Sequence, residues 1–124
     1  MNNLVHKEEA YKVIGICMTV HKQLGKGFSE IVYKDALEYE CKENGYSYER
    51  EKEYLVHYKE IVLPHKFYAD FVLFDKIILE IKNADHIANE FIAQTLNYLA
   101  ASQLKVGLIV NFGKNSLEYK RLVL

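Results

Sequence analysis

Asp70 and the triplet Glu80-Ile81-Lys82 are the residues of this chain whose types and spacing best suit chemistry. Two carboxylates brought beside one lysine can hold a hard divalent cation with a charged amine next to it. Asp70 lies in Tyr68-Ala69-Asp70-Phe71-Val72-Leu73-Phe74, and the triplet closes Ile77-Ile78-Leu79-Glu80-Ile81-Lys82. Both runs are rich in β-branched and aromatic residues, and Asp75-Lys76 between them reads as a tight turn. The pattern predicts two strands joined as a hairpin. Alternation along a strand places Tyr68, Asp70 and Val72 on one face of the first, and Ile78, Glu80 and Lys82 on one face of the second. Charges buried unpaired among such neighbours are strongly unfavourable. A divalent metal held by Asp70 and Glu80, with Lys82 beside it, would explain their presence.

The elements that must position these residues follow from periodicity. Val13, Ile14, Cys17, Val20 and Leu24 form the stripe of an amphipathic helix from about Lys7 to Leu24, broken by Gly25-Lys26-Gly27. A second helix is expected from Ser29, as N-cap, to about Glu43, where Asn44-Gly45 stops it. Tyr54–Tyr58 and Ile61–Leu63 read as two short strands, with Pro64 marking a strand end or an edge. After the hairpin, a third helix is expected from about Ile87 to Ser102. The continuous apolar run Val106–Phe112 suits a strand covered on both faces. A last strand spans Leu117–Leu124. The order predicts one α/β domain over residues 1–124, with helices on a mixed sheet.

Other polar residues fall on the apolar faces of these elements. Glu30 shares a helix face with Tyr33, Leu37 and Cys41, which points it inward near the helix start. The alternative is a carboxylate favoured there by the helix dipole alone. On the third helix, Ile87, Phe91, Gln94, Tyr98 and Ala101 share a stripe. Gln94 and Tyr98 can serve a substrate phosphate or a metal-bound water, or Tyr98 can be core and Gln94 incidental. Lys82 reads either as a lysine reaching past the sheet edge into water or as a group acting on an attacking water. His6 and His21 read as helix-surface residues, and His57, His65 and His86 lack the spacing of a metal trio. Cys17 and Cys41 read as buried free thiols.

Composition excludes several classes. The chain has 124 residues, of which half are hydrophobic and one is proline, so a compact ordered domain is expected. No segment approaches the roughly 20 apolar residues of a membrane span, and the first residues have no apolar signal core. A soluble cytoplasmic protein is the expectation. Sixteen basic and 17 acidic residues give a net charge of −1. This argues against strong non-specific nucleic-acid binding but not against a local basic rim or the positive field of a bound metal. Ser/His/Asp and Cys/His arrangements, a phosphate-binding loop and a dinucleotide fingerprint are absent.

Together, Asp70 and Glu80-Ile81-Lys82 resemble the PD-(D/E)XK nuclease superfamily. Gly27-Phe28-Ser29-Glu30-Ile31-Val32-Tyr33 is similar to the GxxExxY signature of one of its small families. Tyr68-Ala69-Asp70, Gln94-Thr95-Leu96-Asn97-Tyr98 and Gly107–Gly113 extend the match over nearly the whole chain. The resemblance implies a restriction-endonuclease-like αβββαβ core, a mixed sheet flanked by helices, with an extra N-terminal helix. It implies that Asp70 and Glu80 ligate Mg²⁺, or Mn²⁺ in its place, with the carbonyl of Ile81 and the carboxylate of Glu30 as further ligands. Lys82 would act on the water, and Gln94 with Tyr98 would meet the substrate. Alanine precedes Asp70 where the superfamily's name has proline. The implied activity is hydrolysis of phosphodiester bonds, with DNA the expected partner. A non-catalytic nucleic-acid- or protein-binding module on the same fold is the alternative, and a homodimer through a sheet edge or the first helix is a further expectation.

Overall fold

The computed structural model describes residues 5–124. Helices α1 (Lys7–Leu24) and α2 (Glu30–Asn44) come first, followed by strands β1 (Tyr48–Tyr58), β2 (Ile61–Leu73) and β3 (Ile77–Lys82). Helix α3 (Asn89–Ser102) then leads to β4 (Val106–Asn111) and β5 (Glu118–Val123). The strands form one sheet in chain order, antiparallel except for the parallel β3–β4 pair. A parallel pair needs a crossover, which α3 supplies. Among the described residues no helix is long and apolar enough to cross a membrane.

Helices cover both sides of the sheet. From α1 and α2, Val13, Cys17, Val20, Tyr33, Leu37 and Cys41 pack with Phe71, Leu73, Leu79 and Ile81 of the sheet and with Phe112 just beyond β4. On the other side Tyr98 and Leu99 of α3 pack with Ala69, Val72 and Ile78. Strand β4 is therefore buried at every position. Both cysteines are free and buried, as the helical pattern predicts.

Several expected boundaries change. Residues 61–63 and 68–73 belong to one 13-residue strand, β2, which runs through Pro64. Proline is tolerated there because the β1–β2 register slips between Leu55 and His57, beside it. Strand β1 begins at Tyr48 rather than Tyr54. The charges of Tyr48-Glu49-Arg50-Glu51-Lys52-Glu53 hide a half-buried alternation in which only every second residue faces the protein. Helix α3 starts at Asn89 rather than Ile87. Ser29 does precede α2, but its side chain makes no capping bond. His21 is buried rather than on the surface, its Nε2 2.9 Å from the carbonyl oxygen of Lys114 and its ring beside Phe112.

The hairpin also turns over along its length. Near its base Tyr48, Phe71 and Leu73 face α1 and α2, whereas Tyr54, Phe67 and Ala69 face α3. These residues keep the same odd or even parity along their strands, so the two faces exchange between Arg50 and Lys52 and between Phe71 and Ala69. That crossover is Glu51 opposite Asp70, the one pair missing from an otherwise continuous register there. Glu51 has φ 54°, which reverses the strand locally. The expected common face of Tyr68, Asp70 and Val72 consequently fails. Val72 is buried under α3, while Tyr68 is exposed and donates its hydroxyl to Glu53.

Candidate active site

Asp70 and Glu80 meet where two strands part. The β2–β3 ladder pairs Leu73 with Ile77, Val72 with Ile78 and Phe71 with Leu79, then stops. One further step sets Asp70 opposite Glu80. Side chains take over the bonding: the Ile81 N–H donates to Asp70 Oδ2 at 2.7 Å, and the Asp70 N–H donates to Glu80 Oε2 at 2.9 Å. Each carboxylate thus satisfies a backbone donor that the broken ladder leaves free. The same exchange fixes both side chains on the sheet.

Two carboxylates directly across a strand pair repel one another. Glu80 is 2% exposed. Burial first, and the charge of Asp70 second, push its carboxyl up to about 8, although the Asp70 N–H bond works the other way. Burial and the Asp70 charge thus favour the protonated form of Glu80, even with the Lys34 and Lys82 charges acting against them. A cation does stand at Asp70: Lys34 Nζ lies 2.8 Å from Oδ1 and 2.7 Å from Glu51 Oε2. Burial alone would lower the Lys34 pKa, but the bonds to Asp70 and Glu51 outweigh it and raise it.

The other expected residues flank this pair. Ile81 joins it through its N–H. Lys82 lies on the α3 side, with Nζ 3.4 Å from Gln94 Oε1 and 4.7 Å from the centre of the Phe91 ring. The expected common face of Ile78, Glu80 and Lys82 holds, since Ile78 packs under α3 as well. Tyr98 is a core residue whose ring meets Phe67 edge-on at 5.6 Å. Burial, followed by the charges of Glu80 and Asp70, pushes its hydroxyl up to about 12. A groove of about 540 Å³ opens between β2 and α3, lined by Phe67, Tyr68, Gln94, Asn97 and Tyr98 among others.

Glu30 reaches the far end of β3 instead of the carboxylate pair: the Asn83 N–H donates to its Oε2 at 3.3 Å. Among the described residues no group of three or more His, Cys, Asp or Glu side chains stands close enough together to hold a metal ion. The expected convergence of three carboxylates is thus a close pair with Glu30 beyond Lys82. The loop before α2 explains this placement. Gly27 has φ 114°, a conformation that side chains disfavour. The Tyr33 hydroxyl donates to the Gly25 carbonyl at 2.6 Å and accepts from the Phe28 N–H at 3.3 Å. Asn83 Nδ2 donates to the Phe28 carbonyl at 2.7 Å, so the loop and Glu30 are tied to the end of β3.

Three residues that complete the site were not anticipated from sequence. Lys34 sits one turn after Glu30, and that i, i+4 spacing was the available signal. Glu51 lay hidden among ordinary surface charges. Asn111, fully buried, accepts from the N–H groups of Ala84 and Gly113 and donates to the Ala84 carbonyl and Glu118. It pins the chain just after Lys82, and a polar residue inside the apolar run 106–112 was its signal.

The donor set is made of carboxylate oxygens with a lysine ammonium standing at one of them. It suits a hard divalent ion better than zinc, which favours nitrogen and sulfur.

Comparison with known proteins bears on the fold and the family. None of the curated proteins matches the chain. A solved structure described as "Crystal structure of SSO0001" is similar, with a TM-score of 0.62 and 21% identity over 74% of this chain. The match spans 48% of that protein's length and shows a shared fold, and three helices on a five-strand mixed sheet are consistent with a restriction-endonuclease-like one. The family model of the PD-(D/E)XK nuclease superfamily matches residues 7–122, nearly the whole sequence. Members of that superfamily generally use divalent metals and act on nucleic acid. The chain belongs to the PD-(D/E)XK nuclease superfamily.

Proposed function

We propose that the protein is a Mg²⁺-dependent nuclease of the GxxExxY branch, a single domain that hydrolyses phosphodiester bonds in DNA. The observation that carries this reading is the opposed pair Asp70 and Glu80, bonded to each other's backbone across parting strands. Asp70 and Glu80 would hold the ion with the Ile81 carbonyl, Glu30 would join them only by leaving the Asn83 N–H, and Mn²⁺ could replace Mg²⁺. When bound, the ion supplies a polarised phosphodiester and an acidified water.

The chain's own residues do the rest. Lys82, steadied by Gln94 and the Phe91 ring, directs its ammonium at the attacking water or at charge developing on the phosphoryl group. Gln94 contributes its side-chain amide at the rim of the groove between β2 and α3. Tyr98 presents its hydroxyl near the carboxylates while its ring stays packed. Cytoplasmic location belongs to the same proposal. So does a homodimer through the exposed Tyr11 and Met18 of α1, which light scattering would reveal and a monomeric mass would exclude.

The second reading is a non-catalytic nucleic-acid- or protein-binding module. The Lys34–Asp70 pair favours it, because it balances the Asp70 charge without a metal. Incubation of linear and supercoiled DNA with Mg²⁺ separates the two. Cleavage by the wild type, lost in Asp70→Ala and Lys82→Ala with the fold intact, supports the nuclease. Equal cleavage in both variants refutes this site assignment.

A further inference from the structure

Lys34 is held in an unusual way for a helix lysine. Its side chain is 13% exposed, and its ammonium touches two carboxylates from two different strands, Asp70 and Glu51. Asp70 Oδ2 is already occupied by the Ile81 N–H. The ammonium therefore stands at Oδ1, the Asp70 oxygen that the Ile81 N–H leaves open. Glu51 differs from Asp70 in being half exposed, and its backbone lies in the left-handed region at φ 54°. A non-glycine residue persists there only when its surroundings fix it, and such strain collects at functional sites. Here the turned-over backbone places the Glu51 carboxylate within 2.7 Å of Lys34, beside the Asp70 site.

We propose that Lys34 is a tethered counter-cation that occupies Asp70 in the metal-free protein and withdraws onto Glu51 when a divalent ion binds, so that the Lys34–Glu51 pair sets the metal affinity. An ammonium and a divalent cation cannot both sit at contact distance on Asp70 Oδ1, since like charges at that separation repel strongly. Withdrawal is inexpensive because the bond to Glu51 is already formed, and only the Asp70 half of the contact is given up. Lys34 is a positioning residue in this scheme, and the inference rests on the reading of Asp70 and Glu80 as metal ligands.

The test is Mg²⁺ calorimetry on the wild type, Lys34→Met, Glu51→Gln and the double variant, with melting temperatures taken in parallel. Methionine keeps the apolar stem and removes the charge. Lys34→Met should bind Mg²⁺ about tenfold tighter or better, because the competing charge is gone. Its metal-free melting temperature should fall, because Asp70 loses its partner. Glu51→Gln alone should weaken Mg²⁺ binding by fastening Lys34 to Asp70, and this effect should shrink by more than half when Lys34 is already methionine. Should Lys34→Met not fold, Glu51→Gln carries the test alongside Glu53→Gln, which removes the same charge from the outward-facing neighbour. Equal weakening by those two would then overturn the inference. If the wild type binds Mg²⁺ and Lys34→Met binds it equally or more weakly, the inference falls while the metal reading stands. If neither binds Mg²⁺ at millimolar concentration, with or without a short DNA duplex, the metal reading falls and takes the inference with it.

Discussion

Replacing Glu80 by glutamine should abolish a pH dependence of stability that the wild type carries. Glu80 ionises at an ordinary 4.5 in the unfolded chain and at about 8 in the folded one. The folded state thus favours the protonated form. Below pH 4.5 both states are protonated and burial of the carboxyl adds no ionisation penalty. Between 4.5 and about 8 the unfolded chain ionises while the folded one does not, so stability falls as pH rises and then levels off. At about 1.4 kcal/mol per unit the full span has an upper bound of about 5 kcal/mol. Asp70 and Glu80 share one excess of negative charge, and allowing half of that bound leaves roughly 2–3 kcal/mol. For a domain of this size that amounts to a fall in melting temperature of about 10 °C. Glutamine keeps an oxygen for the Asp70 N–H and removes the titration. Circular dichroism melts of both proteins from pH 5 to 9 provide the assay, and subtracting one curve from the other cancels the titrating groups that lie far from the Asp70–Glu80 pair. Added Mg²⁺ should raise the wild-type melting temperature most at high pH, where ionised Glu80 costs most, and leave Glu80→Gln nearly unchanged. Parallel curves for the two proteins without Mg²⁺ would refute the burial and charge coupling assigned to this carboxyl.

Three more substitutions test neighbouring parts of the site. Lys82→Ala should lower DNA cleavage by about 10²–10⁴-fold, the range for a lost proton-transfer or charge-stabilising group, with an unchanged circular dichroism spectrum. Asn111→Ala should cost about 3 kcal/mol in urea denaturation, because Ala84 and Gly113 lose their buried partner and methyl replaces an amide that bonds at four points. Tyr33→Phe should cost about 1–2 kcal/mol by freeing the Gly25 carbonyl and the Phe28 N–H, again read in urea.

Much of this molecule was legible in its residues, and what was not has physical causes. The α1 boundaries were readable because a clean apolar stripe meets Gly25, and β4 because a strand covered on both faces must be apolar throughout. Glu80 and Lys82 fell on one face by simple alternation. Asp70 did not share the face expected of it, because the hairpin turns over at Glu51, and nothing about a glutamate announces positive φ. The start of β1 was masked by charges whose alternate members are half-buried. Lys34 carries no signal of its own because a lysine on a helix is ordinarily solvated; only the tertiary approach of β1 and β2 gives it two carboxylates. Glu30 is half-buried and its partner is the backbone of Asn83, and backbone partners leave no mark in the residue pattern.

The most direct measurement is Mg²⁺ calorimetry on the wild type and an Asp70→Ala, Glu80→Ala double variant, each with and without a short DNA duplex. Binding in the micromolar-to-millimolar range by the wild type, lost in the double variant, is the predicted result. Equal binding by both proteins, or none by the wild type even with duplex present, would contradict a metal centre built on these two carboxylates.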